Sequence, residues 1–228
     1  RARGIRVSNT PDVLTDDVAD LAVGLLYATI RNIAANDALV RSGAWERGEK
    51  PPLSGRVTGR RIGILGLGRI GRAIATRLEP VAGEILYHNR RPATDTPYRY
   101  VADPIDCARQ SDVLIVATSG GPEAARLVDA AMLDALGPDG VIVNISRGSV
   151  IDEDALVAAL ADKRIAGAGL DVFVNEPHVP HALRAMDHVV LQPHQGSATV
   201  QTRAAMADLV LANLDAHFAG MTLVTPVV

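Results

Sequence analysis

Apolar positions along this chain follow two alternating patterns, short continuous runs and longer stretches at helical spacing. Ile62, Ile64 and Leu65 form a compact run bounded by glycines, the pattern of a strand buried on both faces. Similar runs at 84–88, 113–117, 140–145, 166–172 and 189–191 predict further strands. Between them the spacing is that of helices. Val18, Leu21, Ala22, Leu25, Leu26, Thr29, Ile30, Ile33 and Ala34 predict one long helix over 15–41, with Thr15 as its cap and Asp16, Asp17 and Asp20 near its positive end. Helices are also expected at 72–78, 124–136, 151–162 and 197–218. In the last of these Val200, Ala204, Met206, Val210, Leu211 and Leu214 should face mostly inward. Ile5 and Val7 read as one more short strand. Strands alternating with helices in this way predict an α/β fold, a doubly wound parallel sheet.

The stretch 66–71, Gly-Leu-Gly-Arg-Ile-Gly, stands where the first of the long series of strands turns into a helix. Gly66 permits the tight turn, Gly68 lets backbone approach a pyrophosphate, and Gly71 lets the helix pack closely on its strand. With Leu67, Arg69 and Ile70 between them, these residues form the phosphate-binding turn of a Rossmann dinucleotide site. The helix start directs free N–H groups and a positive dipole end at the phosphates.

An NAD-preferring site needs a carboxylate roughly 20 residues further on, to accept hydrogen bonds from the ribose hydroxyls. This chain has Asn89, Arg90 and Arg91 there. A neutral amide followed by two guanidiniums suits the 2′-phosphate of NADP, which arginine can hold through a charge-assisted fork. NADP is therefore the expected cofactor, with NAD second.

Composition narrows the picture further. Of 228 residues, 48% are hydrophobic and 21% charged, as in an ordinary globular protein. A net charge of −3 gives no argument for nucleic acid or an anionic membrane as partner. The longest apolar run, Leu21 to Ile30, has 10 residues and is too short to span a bilayer. Cys107, the single cysteine, has no disulfide partner and no His or Cys at metal-ligand spacing, so no metal site is expected and the thiol reads as a small buried apolar group. These features suit a reducing cytoplasm. The segment 45–59 is rich in charge, Pro and Gly, and Trp45 and Leu53 within it are candidates to anchor a partner subunit.

Three ionisable residues fall near predicted strand ends: Arg147, Glu176 and His194. Reduction of a 2-keto acid needs a cation for the carboxylate, an acid to protonate the carbonyl oxygen, and a group that orients the acid. Arginine fits the first role, histidine the second and glutamate the third.

With these residues in view, the chain resembles the D-2-hydroxyacid dehydrogenases, most closely their glyoxylate/hydroxypyruvate reductase branch. The matching text is VLTDDVADLAVGLL, GLGRIGRAIA, VIVNISRGSVIDEDALVAAL, GAGLDVFVNEP and LQPHQGSAT, in the family's order from about Val13 onward. The resemblance implies hydride transfer from NADPH to a small 2-keto acid such as glyoxylate or hydroxypyruvate. Arg147 would bind and polarise the substrate, Glu176 would hold the catalytic histidine, and His194 would donate the proton. Asp171 would approach the nicotinamide end of the cofactor, Thr118 and Ile145 would line its cleft, and Gly196 and Ser197 would border the substrate. The family also has regulatory members that keep all three catalytic residues, so a cofactor-binding scaffold, or a truncated chain that binds cofactor only, is the alternative. The resemblance further implies a homodimer and a flavodoxin-like substrate domain, of which only remnants are expected here. The expected division is a dinucleotide domain at 13–195, with 1–12 and 196–228 associated with the substrate domain. Ser119-Gly120-Gly121 departs from the family's usual Leu-Thr-Pro-like turn.

Overall fold

The computed structural model describes residues 4–227. Its strands are β1 (Arg61–Leu65), β2 (Glu84–His88), β3 (Arg99–Tyr100), β4 (Val113–Val116), β5 (Val141–Asn144), β6 (Gly167–Leu170) and β7 (Val189–Leu191). The helices are α1 (Thr15–Ile30), α2 (Ile33–Arg41), α3 (Arg69–Leu78), α4 (Pro104–Arg109), α5 (Ala130–Leu136), α6 (Glu153–Ala161), α7 (His181–Arg184) and α8 (Val200–Phe218). All seven strands pair in parallel in the order β3-β2-β1-β4-β5-β6-β7. The predicted doubly wound sheet is therefore the fold.

Alternate residues of each strand feed different cores. Ile62, Ile64, Val113, Ile115, Val141 and Val143 pack with α1 and α3. Leu65, Leu114, Val116 and Ile142 pack on the other face with α4, α5 and α6. Burial on both faces is why these strands read as continuous apolar runs and not as alternating ones. Chain order reverses at β1, which lies between β2 and β4. Such a reversal opens a crevice at the carboxyl ends of the strands, where ligands bind in open α/β sheets.

Several expectations need correction. The helix over 15–41 is two helices meeting at 64°. Asn32 stops α1 by adopting the left-handed conformation (φ 51°), which asparagine tolerates better than most residues. Turned away from the sheet, α2 buries none of its residues, and Ile33 is exposed. Thr15 lies within α1 and does not cap it; the N-cap is Leu14, without a side-chain hydrogen bond. The helix over 124–136 is a single 3₁₀ turn, Pro122–Ala124, followed by α5, whose first turn Asp129 caps through the Met132 amide at 3.0 Å. Ile5 and Val7 form no strand; their segment makes one antiparallel bridge, Ser8 to Pro226.

The largest correction concerns α8. Val200, Val210, Leu211, Leu214 and Phe218 are exposed, and the residues it buries are Thr202, Asn213 and Ala216. Its ties to the sheet domain are polar: Asp17 accepts from the hydroxyls of Thr199 and Thr202. Cys107 is fully buried as expected, and burial pushes its thiol up to about 12, so it is inert at neutral pH. No single described helix is long and apolar enough to cross a membrane.

Candidate active site

The glycine turn is built by contact as much as by conformation. Gly66 has φ +102°, and a Cβ there would stand 2.6 Å from the backbone of Thr118 at the end of β4. A Cβ on Gly71 would lie 2.1 Å from the Gly66 carbonyl oxygen. At Gly68 an added Cβ would meet nothing within 4 Å, so the space above the turn is open. No side chain caps α3 at this end, leaving its first amides available to an anion. Leu67 is buried in the core, Ile70 packs at its edge, and the Arg69 side chain turns away to Asp12 at 2.6 Å. Ile145, buried at the end of β5, donates its N–H to Val116, so Gly66, Thr118 and Ile145 border the same crevice. An uncapped helix start, a side-chain-free approach and a crevice at the chain reversal fit the pyrophosphate of a dinucleotide.

At the end of β2, Asn89 accepts the Leu67 N–H at 2.7 Å. It thereby ties this strand end to the glycine turn, a structural role that reading the residue only as a missing carboxylate overlooks. Arg90 and Arg91 are exposed beyond it. Arg90 is ion-paired with Glu123, and Arg91 has no polar side-chain partner among the described residues.

On the other side of the chain reversal, Arg147, Glu176 and His194 line one cleft of about 730 Å³, together with Phe173, Val174 and His178. Each arrives by a different strand end. Arg147 follows β5 on a loop organised by buried Asn144, whose amide donates to the Arg147 carbonyl at 3.2 Å and whose oxygen accepts from the Ser146 amide at 3.0 Å and hydroxyl at 2.9 Å. Gly148 allows this loop to touch the segment after β6, since a Cβ there would lie 2.0 Å from the Phe173 carbonyl carbon. The Arg147 guanidinium rests against the Ser146 carbonyl at 2.5 Å.

Glu176 receives His194 Nδ1 at 2.8 Å on one oxygen and the Phe173 N–H at 3.0 Å on the other. Partial burial pushes its carboxyl up. The hydrogen bonds from His194 and Phe173, with the charges of His194 and Arg147, outweigh this and hold it below its ordinary value. With Nδ1 engaged, the Nε2 edge of His194 is the one left to meet a substrate. His194 itself has φ +55°, a conformation uncommon for a residue with a side chain.

That backbone is pinned by Asp171. The carbonyl of Asp171 accepts the His194 N–H at 2.9 Å, and its carboxylate accepts the amides of Gln195 at 2.6 Å and Gly196 at 2.9 Å. Burial pushes the Asp171 carboxyl up despite those amide bonds. Gly196 is buried and Ser197 half-buried on the same turn. Sequence reading missed Asn144, Ser146 and Glu153, which accepts the Val174 N–H at 3.1 Å. The signal for the first two was available, as polar residues at and just after the end of an otherwise apolar strand.

Residues 23–196 match the family described as D-isomer specific 2-hydroxyacid dehydrogenase, NAD binding domain. The chain is 51% identical over 226 residues to hydroxyphenylpyruvate reductase of Plectranthus scutellarioides, covering 99% of this chain and 72% of that protein. It is 50% identical over 228 residues to glyoxylate/hydroxypyruvate reductase A of Arabidopsis thaliana, covering 100% and 72%. Among solved structures, the NADPH-dependent glyoxylate/hydroxypyruvate reductase of Sinorhizobium meliloti, in complex with NADP and malonate, superposes with a TM-score of 0.95 at 49% identity. That match covers 99% of this chain and 71% of the other. A fold, a dinucleotide turn and an Arg-Glu-His cleft of this kind, with similarity along the whole chain, place the protein in the D-isomer specific 2-hydroxyacid dehydrogenase family.

Proposed function

We propose that this protein reduces a small 2-keto acid, of the glyoxylate or hydroxypyruvate type, to the D-2-hydroxy acid with NADPH. The observation that carries the reading is the convergence of Arg147 and the Glu176–His194 pair in one cleft beside a dinucleotide crevice. When bound, the nicotinamide supplies the hydride. Arg147 extends from its resting contact to fork the substrate carboxylate and draw charge from the C2 carbonyl. His194 delivers its Nε2 proton to the carbonyl oxygen as that oxygen becomes an alcohol. Glu176 fixes the imidazole by Nδ1 and so sets the orientation of its Nε2 edge, while Asp171 holds the turn that carries the ring. Gly196 and Ser197 border the substrate, Thr118 and Ile145 line the cofactor cleft, and Asp171 approaches its nicotinamide end.

Arg90 and Arg91 take the 2′-phosphate of NADPH, and Gly66 to Gly71 take the pyrophosphate. The reductase activities of the relatives at about 50% identity favour this reading over a regulatory scaffold. Residues 13–195 act as the dinucleotide domain. The antiparallel contact between residues 7–9 and 225–227, with the outward apolar face of α8, belongs with a substrate domain. Trp45, 60% exposed, and Leu53, fully exposed, anchor a second copy in a homodimer. Sedimentation at micromolar concentration should then show a dimer; a strict monomer would refute that part.

The test of the activity is NADPH oxidation by the full-length protein with glyoxylate and hydroxypyruvate. Turnover with either supports the reading. Tight NADPH binding without turnover of any small 2-keto acid would favour the scaffold.

A further inference from the structure

Arg90 and Glu123 are 33 residues apart in sequence, yet form an ion pair. Arg90 follows β2 and Glu123 lies in the turn after β4, and these two strands flank β1 on opposite sides. Their ion pair therefore crosses over the carboxyl end of β1, beside the glycine turn to which the proposed function assigns the pyrophosphate. Both side chains are largely exposed, at 82% and 78%, so packing against the core does not account for the pairing. A glutamate carboxylate offers a guanidinium the same planar pair of oxygens that a phosphate would.

Resting on the NADPH reading above, we propose that Glu123 competes with the 2′-phosphate for Arg90 and so limits how strongly the protein prefers NADPH. In the free protein Glu123 holds the guanidinium over the crevice. To meet the phosphate, Arg90 must leave Glu123, and the released carboxylate then stands near a doubly charged group. Arg91, with no polar partner among the described residues, carries no such cost. The preference is thus set by two arginines of unequal availability. Glu123, in the turn beginning at Pro122, is a specificity residue that touches no substrate.

Exposed ion pairs are weak, so the effect is modest: Glu123→Gln should tighten NADPH binding about two- to fivefold. NADH binding should change less than about twofold on the same scale. The gain should vanish in an Arg90→Ala background, where nothing is left to compete for. Nicotinamide fluorescence titration of the wild-type, Glu123→Gln, Arg90→Ala and doubly substituted proteins reads all of this without substrate. An exposed Glu→Gln change leaves the fold intact, and circular dichroism checks that it does. A wild-type preference for NADPH with Glu123→Gln unchanged or weaker would overturn this inference alone. An equal gain for NADH, or one that persists without Arg90, would do the same by making Glu123 a general obstruction. Equal affinity of the wild type for both cofactors would overturn the NADPH reading and this inference together.

Discussion

The two ends of the crevice are built in different ways. At the end proposed for the substrate, Arg147 and His194 sit on loops fixed by buried groups: Asn144 and Ser146 on one side, Asp171 and its three backbone contacts on the other. At the end proposed for the adenosine, Arg90 and Arg91 lie on the surface, and one exposed ion pair is their only side-chain partner among the described residues. A proton donor misplaced by an ångström loses much of its effect, so the chemistry needs a rigid frame. A phosphate can be met by flexible cations from many directions, so cofactor choice needs none. The difference teaches that substitutions at one end act on rate and at the other on affinity.

That contrast can be broken most sharply at His194. Replacing it with Ala should lower kcat about 10²- to 10⁴-fold, the usual contribution of a positioned general acid. NADPH affinity should stay within about threefold, since less than about 0.7 kcal/mol of cofactor contact is at stake. Stopped-flow turnover and fluorescence titration on one preparation separate the two. A parallel collapse of cofactor binding would mean that the ends are one rigid unit.

The converse test lies at the other end. Arg90→Ala with Arg91→Ala removes the charge-assisted contacts proposed for the 2′-phosphate, each worth about 1.5–3 kcal/mol. Screening at an exposed site reduces this, and NADPH affinity should fall about ten- to a hundredfold, with NADH nearly unchanged. At saturating NADPH kcat should be preserved. If kcat fell as well, the surface arginines would be coupled to the chemistry and the comparison would fail.

The rigid end was the more legible in sequence, for a physical reason. Arg147, Glu176 and His194 follow apolar strands whose burial on both faces reads directly as continuous runs, so their placement at strand ends could be predicted. The Arg90–Glu123 pair could not, because it depends on which strands flank β1, and spatial order is not written in any local pattern. The same limit explains α8 and α1. Both carry apolar residues at helical spacing, but α1 buries Val18, Leu25, Leu26 and Ile30 against α3 and the sheet, whereas α8 leaves Val210, Leu211 and Leu214 exposed. Periodicity identifies an apolar face and says nothing about what covers it. The break at Asn32 was hidden because Ile33 and Ala34 continue the spacing while one left-handed residue ends the helix. Elements β3, α4 and α7 escaped notice because they are short, though Asp103 before Pro104 was a usable start signal for α4.

The smallest effect concerns pH, and its sign follows from Glu176. Its carboxyl is held below its ordinary value of 4.5 by the hydrogen bonds from His194 and Phe173, against the opposing push of burial. A carboxyl lowered on folding adds stability that is fully present above its unfolded value. That stability is lost as pH falls through the lower, folded value. Glu176→Gln removes this increment and leaves the shape of the site nearly unchanged. With its side chain 34% exposed, the pair is screened by solvent and is worth less than about 1 kcal/mol. In a chain of this size that is a difference in Tm of about 1–3 °C. The wild type should melt higher than Glu176→Gln at pH 7, by this amount. The gap should narrow only below about pH 4.5 and close where Glu176 takes up its proton. The Arg90→Ala change, made at the exposed end, should leave the same comparison untouched. Thermal melts followed by circular dichroism across this range decide the matter. A gap of constant size from neutral pH into acid would show that Glu176 braces the loop by its shape, and that its charge adds nothing to the stability of the site.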